Sequence, residues 1–201
     1  MRMRYARWFS KRIGIGALLL GLAGCASTEP ARFYTLSPLP GGQGSGAKPC
    51  LTLGLGPVTL PHYLDRPQIV TQTGSNEMKL ADFDQWTEPV DRTFVRILGE
   101  NLSALLCVEE VLDHPWKGSE QVDVQLTVNV ARFHGMADGT AILQAQWTLS
   151  KDLDDKTVVK RQSKISARIE GSGYGALVAA QSRALEKLSM EIAAEIRAIS
   201  R

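Results

Sequence analysis

Residues that carry chemistry are scarce in this 201-residue sequence, which has three histidines and three cysteines. His62, His114 and His134 lie in turn-like settings with no metal-ligand spacing between them, so we expect structural or surface roles for them. The glycine-rich stretch 171–175 matches neither the G-x-S-x-G pattern of serine hydrolases nor a phosphate-binding loop. We therefore predict that the protein is not an enzyme and holds neither a metal nor a cofactor.

Acidic side chains are absent from residues 1–24, which contain five of the 23 Lys and Arg residues. This basic start leads into the apolar stretch 13–23, which is too short to span a bilayer as a helix. The stretch ends in Leu-Ala-Gly followed by Cys25. These features are typical of a bacterial lipoprotein signal that is cleaved before Cys25, whose thiol then carries the lipid. The alternative is an ordinary signal peptide with an incidental cysteine.

Removal of residues 1–24 leaves 18 basic and 21 acidic groups, a net charge of −3. The positive charge of the whole sequence therefore gives no reason to expect a nucleic-acid partner. Ala26 stands where an aspartate favours retention in the inner membrane, so we expect an outer-membrane lipoprotein that faces the periplasm. We predict a lipidated tether at residues 25–32 and one domain at 33–201, with a flexible glycine-rich loop at about 41–49.

Two further cysteines, Cys50 and Cys107, remain in a compartment in which disulfides form. A bridge between them closes 57 residues of chain and, in the loop-entropy model, stabilises the fold by about 4 kcal/mol. Two buried free thiols are the alternative, because the sequence does not give the separation of the two Cα atoms.

Alternation of apolar and polar residues predicts several short strands. Four precede the first helix, at 32–36, 51–56, 68–73 and 77–81, and the second of these is expected to end at Pro57. Three more, at 122–130, 141–149 and 158–169, are expected to form an antiparallel meander with turns at 135–139 and 151–156.

Two amphipathic helices complete the predicted fold. The first is expected to be capped by Thr87 and to carry an apolar stripe from Val90 to Leu106. The second is entered through Ser172 and carries an apolar face from Leu177 to Ile199. The sequence thus indicates a single domain of the α/β (α+β) class, a mixed sheet with an antiparallel meander covered by two helices.

Several blocks of the sequence resemble the PqiC family, also called ABC-type transport auxiliary lipoproteins. The resemblance covers nearly the whole mature chain and preserves the order of its blocks. They are the lipidation motif, residues 33–36, Gly56-Pro57-Val58-Thr59-Leu60-Pro61-His62-Tyr63-Leu64-Asp65-Arg66, Trp86-Thr87-Glu88-Pro89, and the hairpin from Gly135 to Trp147.

The resemblance implies a non-enzymatic accessory subunit of an MCE-type intermembrane lipid transport system. Such a lipoprotein is expected in the outer membrane, where it meets a periplasm-spanning MCE-domain protein whose own partners lie in the inner membrane. The resemblance also suggests a homo-oligomer. A structural or assembly lipoprotein of the envelope, without a role in transport, is the alternative.

The resemblance is densest in the segment from Pro61 to Pro67. Its two prolines stiffen an exposed loop, which suits a docking surface. The candidate partner-docking residues are Pro61, Tyr63, Leu64, Asp65 and Arg66. In the alternative interpretation, Tyr63 and Leu64 only pack the crossover onto the sheet, and Asp65 and Arg66 pair with each other.

Overall fold

The computed structural model describes residues 29–41, 50–116, 121–151 and 156–200. The predicted signal peptide, Cys25, most of the predicted loop at 41–49 and the tip of the charged turn at 152–155 lie outside these residues. From Ala31 onward the chain forms one compact unit. Among the residues described, no helix has both the length and the apolarity needed to cross a membrane.

The described residues contain eight strands, two long helices and one short 3-10 turn. The strands are β1 (Arg32–Tyr34), β2 (Leu51–Thr59), β3 (Gln68–Gln72), β4 (Met78–Trp86), β5 (Val108–Asp113), β6 (Val124–Met136), β7 (Thr140–Lys151) and β8 (Lys156–Arg168). The helices are α1 (Val90–Leu105) and α2 (Gly173–Ile199), and the 3-10 turn spans His62–Leu64.

Strand β6 lies at the centre of the sheet because three other strands pair with it. On one side β7 runs antiparallel along nearly its whole length, and β8 then pairs with β7. On the other side β2 pairs with residues 124–129 of β6 and β3 pairs with residues 135–136, both in parallel. The sheet therefore forks on this side, with β5 beyond β2 and with β4 and β1 beyond β3.

The predicted fold class is confirmed: a mixed sheet with an antiparallel meander and two helices in a single domain. Alternation in β6 turns Val124, Leu126 and Val128 toward the core, where all three are almost fully buried. The apolar face of β6 packs against the helices and its polar residues lie on the other face, as the alternating sequence pattern requires.

Both helices cover the same face of the sheet. Phe94 of α1 meets Phe133 of β6 edge to face, with ring centroids 5.4 Å apart. Helix α2 approaches β6 closely at Gly135, where a Cβ atom would lie 2.8 Å from the side chain of Leu177. The helices also contact each other through a buried hydrogen bond, in which Asn101 Nδ2 donates to Ser189 Oγ over 3.2 Å.

The prediction that Thr87 caps the first helix is wrong. Helix α1 begins at Val90, with Pro89 at the N-cap position and no side-chain cap. The Thr87 backbone N–H instead donates to the Tyr34 carbonyl over 2.9 Å. Thr87 thus continues the pairing of β4 with β1, and the chain turns into the helix only after that bond is made.

Several strand bounds also differ from the prediction, and one strand was not predicted. Strand β2 continues through Pro57, which lies in a register irregularity between Leu55 and Val58, where the missing proline N–H is tolerated. Strand β6 extends to Met136, so His134 lies in a strand and not in a turn. A register shift between Val130 and Arg132 interrupts the alternation there. Strand β5 was not predicted, because its adjacent glutamates break any alternation.

Candidate functional site

Two segments that are distant in the sequence line one groove of about 690 Å³. The first, residues 58–67, runs from the end of β2 to the start of β3. The second, residues 86–91, runs from the end of β4 into the first turn of α1. The Trp86 backbone N–H joins the two segments by donating to the Pro67 carbonyl over 2.7 Å. We call this feature the crossover groove.

The crossover groove has an apolar floor and a polar rim. Leu64, Trp86 and Val90 lie within its lining and are at most 5% exposed. His62 and Asp65 also line it and are exposed to solvent. A concave apolar surface with a few polar groups at its edge is the usual form of a surface that binds an apolar anchor of another molecule.

Glu88, on the rim, is already paired within the domain. Its Oε1 accepts hydrogen bonds from Thr93 Oγ1 and Arg96 Nη2, each over 3.0 Å. The hydrogen bond from Arg96 lowers the pKa of Glu88, and the bond from Thr93 acts in the same direction. Among the described residues Asp65 makes no ion pair. Asp91, which also lines the groove and is exposed, likewise makes none, so Asp65 and Asp91 are the lining carboxylates that remain available to a partner.

Arg66 contributes a desolvated donor to the wall of the crossover groove. The side chain is half-buried, and its Nε is buried without a hydrogen-bond partner among the residues that the structure describes. The predicted pairing of Asp65 with Arg66 does not occur between these two described side chains. A buried N–H without an acceptor costs free energy, so the other contacts of the crossover must compensate for this donor.

Tyr63 is turned toward strand β6 and does not line the groove. Its hydroxyl accepts a hydrogen bond from the Phe133 backbone N–H over 3.4 Å and lies 2.8 Å from His134 Nδ1. The two rings meet edge to face at 5.7 Å. Because the crossover lies at the fork, between the β2 and β3 pairings of β6, the Tyr63 side chain bonds to β6 at residues that neither β2 nor β3 pairs with.

The contact of His134 Nε2 with Gln72 determines which ring nitrogen of the histidine carries the proton. His134 Nε2 lies 3.2 Å from Gln72 Oε1, and Gln72 Nε2 donates to the carbonyls of Gly74 and Ser75. Oε1 can only accept, so His134 Nε2 carries the proton and Nδ1 accepts from the Tyr63 hydroxyl. Burial lowers the pKa of His134 and raises that of Tyr63, so both side chains are neutral near neutral pH.

The structure thus brings together four of the five candidate docking residues: Pro61, Leu64, Asp65 and Arg66 line the crossover groove. Tyr63 instead holds the segment on the sheet, as the packing interpretation proposed for it. The wall at 86–91 and the partners His134 and Gln72 were not predicted as site residues. In the described part of the chain, no three His, Cys, Asp or Glu side chains are grouped as metal ligands.

Cys50 and Cys107 are disulfide-bonded in the structure, with Cα atoms 4.6 Å apart. Cys50 precedes β2 and Cys107 precedes β5, and these strands pair in parallel from their first residues. The Leu51 backbone N–H donates to the Cys107 carbonyl over 3.1 Å. Parallel pairing therefore brings together the two cysteines, and the separation of their Cα atoms lies in the range that a bridge needs.

The first strand after the predicted tether is fixed by a buried carboxylate. Asp84 of β4 accepts hydrogen bonds from Arg32 Nε over 2.8 Å and Nη2 over 2.9 Å, and from the Tyr34 hydroxyl over 2.7 Å. These bonds, led by that of Arg32, lower the pKa of Asp84. The three-residue strand β1 is thereby held to β4 by side chains as well as by its backbone.

A family model described as the ABC-type transport auxiliary lipoprotein component matches residues 34–193. The chain belongs to this family, which confirms the resemblance found in the sequence. It is similar to the intermembrane transport lipoprotein PqiC of Escherichia coli (strain K12), with 28% identity over 180 residues that cover 89% of this chain and 93% of that protein. The protein of the same name from Shigella flexneri matches equally well.

Solved structures share the fold. A crystal structure of an uncharacterized protein superposes with a TM-score of 0.66 at 24% identity, covering 84% of this chain and 99% of the other. A protein from Xanthomonas campestris superposes with a TM-score of 0.64 at 16% identity, covering 80% of this chain and 92% of the other. At these identities the similarity establishes the architecture alone.

Proposed function

We propose that this lipoprotein is the outer-membrane accessory subunit of an intermembrane lipid transport system and that its crossover groove docks the MCE-domain protein. The acyl chains on Cys25 fix the protein in the inner leaflet, and residues 25–32 give it reach. The domain then presents a rigid groove to the periplasm-spanning partner. The function is placement of one protein against a membrane, and no covalent step is involved.

One observation carries the proposal. Residues 56–66 and 86–89, two of the blocks that carry the resemblance to the family, provide most of the lining of a single groove. Its floor offers apolar burial, and Asp65 offers a carboxylate that makes no ion pair among the residues that the structure describes. Family membership and the similarity to intermembrane transport lipoproteins support the same role.

The first test is recovery of partners from outer-membrane fractions by crosslinking, affinity purification and mass spectrometry. The lipidated protein is expected to recover an MCE-domain protein, and Cys25→Ala is expected to recover less of it. Recovery of outer-membrane components alone, in repeated trials, would instead favour a structural or assembly role in the envelope.

The groove is tested separately by reversing one charge on its rim. Asp65→Arg replaces an exposed, unpaired carboxylate and is expected to lower capture of the MCE-domain protein about tenfold, the factor that corresponds to roughly 1.4 kcal/mol. Glu109→Arg, an equal reversal on the exposed side of β5, is the matched control. Equal capture by both variants, with equal thermal stability, would remove the groove from the proposal.

A further inference from the structure

Strands β6, β7 and β8 contain no aspartate or glutamate, although the whole sequence is nearly balanced with 23 basic and 21 acidic residues. The same three strands hold seven basic residues: Arg132, Lys151, Lys156, Lys160, Arg161, Lys164 and Arg168. None of these residues lines the crossover groove. The segregation of charge in the meander therefore needs an explanation of its own.

Two of the basic side chains face the helices. Lys151 Nζ donates to the Ile199 carbonyl over 2.6 Å, and Arg161 pairs with Glu195 over 3.3 Å, both partners lying on α2. Four others lie on the opposite face. Three of them are on β8, where they alternate with residues that are buried under α2: Lys160, Lys164 and Arg168. The fourth, Arg132 of β6, lies in the same cross-strand row as Lys164, with Gln144 of β7 between them. We call this side the helix-free face.

The four cations of the helix-free face are exposed and unpaired. Within the described residues, none of their side chains makes a hydrogen bond or an ion pair. Their neighbours across the strands are short or uncharged: Thr148 lies opposite Lys160, and Thr140 lies opposite Arg168. Along β8 the cations stand about 13 Å apart, and neighbouring strands are about 5 Å apart. The result is a broad, even array of positive charge.

A membrane surface lies within reach of this array. The chain belongs to a lipoprotein family, and only six residues lie between the predicted lipidation site Cys25 and Arg32, the first residue of β1. Even when fully extended, the seven Cα-to-Cα steps from Cys25 to Arg32 span at most about 25 Å. A tether this short holds the domain against the lipid headgroups at a high effective concentration.

An exposed aromatic side chain at the start of the domain supports this geometry. Phe33 is 61% exposed, the largest exposure among the large apolar side chains described. Arg32 and Tyr34, on either side of it, both reach Asp84, and Tyr34 lies against Gly175 of α2. Alternation along β1 therefore turns Phe33 to the side away from α2. Strands β1 and β8 lie toward opposite ends of the sheet, so Phe33 stands apart from the row of cations on β8. Basic and exposed apolar side chains are together the usual elements of interfacial binding.

We propose that the helix-free face binds the anionic phospholipid headgroups of the membrane that carries the anchor. This contact orients the domain, with α1 and α2 directed away from the bilayer. The short predicted tether keeps this array beside the anionic headgroups, which favours the membrane over an acidic protein segment as its occupant. The inference does not depend on the docking of an MCE-domain protein, because that role was assigned to other residues.

The test uses flotation of the anchorless body, residues 26–201, with vesicles of phosphatidylcholine alone or mixed with phosphatidylglycerol. This body contains all of the described core, from Leu36 to Ile196, and is expected to fold without the anchor. We expect binding only to vesicles with phosphatidylglycerol. The double variant Lys160→Gln and Lys164→Gln is expected to bind about thirtyfold more weakly, since each basic residue near an anionic surface contributes about fivefold.

The matched control is the double variant Arg92→Gln and Lys187→Gln, which removes the same charge from exposed helix positions. It is expected to bind like the parent, and circular dichroism establishes that all variants are folded. Equal loss in the two double variants would overturn the proposal, because net charge alone would then explain the binding. Binding to soluble polyglutamate without binding to phosphatidylglycerol vesicles would also overturn it, in favour of an acidic protein partner.

Discussion

The two sides of β6 are stabilised in different ways. On one side, β7 and β8 follow it in an antiparallel meander with nearly continuous backbone pairing. On the other side, β2 and β3 pair with only its two ends, and the crossover between them is fixed by the Tyr63 side chain. A backbone ladder needs only a repeating pattern, whereas a side-chain anchor needs one particular residue in one particular place.

This difference explains where a binding surface can form. In the meander the inward residues pack in the core or, like Lys151 and Arg161, bond to α2, so only the outward row is free. At the fork, the crossover is not part of a ladder, so Pro61, Leu64, Asp65 and Arg66 can form a groove with the end of β4. The interruption of the sheet thus provides the concave surface that a continuous sheet lacks.

The largest effect is expected in the core that both sides share. Phe133 is fully buried and packs on Phe94, so Phe133→Ala removes a large side chain and leaves a cavity. We expect a loss of about 3–5 kcal/mol in the free energy of unfolding, measured by urea denaturation. Ala131→Gly, at an exposed position of the same strand, is the comparison, and a similar loss there would contradict the assignment of the core.

The disulfide is the next largest contribution, and it acts on the forked side by joining the ends of β2 and β5. Replacing both Cys50 and Cys107 by serine is expected to lower the free energy of unfolding by about 4 kcal/mol, less the native strain that the bridge imposes. A thiol assay on the denatured, unreduced protein gives the direct check. Two free thiols in the protein isolated from its native envelope would exclude the bridge.

Removal of the Tyr63 hydroxyl tests whether this side chain holds the crossover at the fork. Tyr63→Phe leaves the Phe133 N–H and His134 Nδ1 without their partner, which is expected to cost about 1–3 kcal/mol. Tyr174→Phe is the control, because the Tyr174 hydroxyl makes no hydrogen bond among the described residues. Hydrogen exchange at residues 60–67 should accelerate in the first variant alone, and unchanged exchange would show that Tyr63 does not hold the crossover.

The smallest effect is a pH dependence at the same place. The folded-state pKa of His134 lies below its ordinary value of 6.5, first because of burial and then because of the nearby Arg132. The unfolded chain therefore binds the proton more readily, so stability should fall as the pH drops from the ordinary value toward the lowered one. His134→Gln should reduce the change in the free energy of unfolding over this pH range. An unaltered pH dependence would contradict the conclusion that the folded protein holds His134 in its neutral form.

The sequence predicts the meander well and the fork poorly, for physical reasons. Alternation in residues 122–130 follows from the burial of one face, which is a local constraint and is visible in the residues themselves. The path of β2 past Pro57 and the strand at 108–113 depend on partners that are distant in sequence. A register irregularity such as that at Pro57 leaves no periodic pattern in the sequence. The same is true of an edge strand with two adjacent glutamates.

The candidate site divides in the same way. The segment from Pro61 to Arg66 was found from its sequence, and the structure places most of it in one groove. The second wall, at residues 86–91, belongs to a region in which only a helix start was predicted. The role of Tyr63 depends on its hydrogen bond with His134. The sequence did not show that His134 lies in β6, because the register shift between Val130 and Arg132 interrupts the alternation before it. Contacts across a fork are set by topology, which a single sequence does not reveal.

The most direct test of the docking proposal is site-specific photocrosslinking in living cells that carry the intact envelope. A photoreactive amino acid at position 62, which is exposed and lines the crossover groove, reports on the groove. One at position 109, on the exposed side of β5, reports on a surface outside it. We predict crosslinks from position 62 to an MCE-domain protein and none from position 109. Crosslinks to that protein from position 109 alone, or from neither position while Cys25-dependent co-purification persists, would contradict docking through the groove.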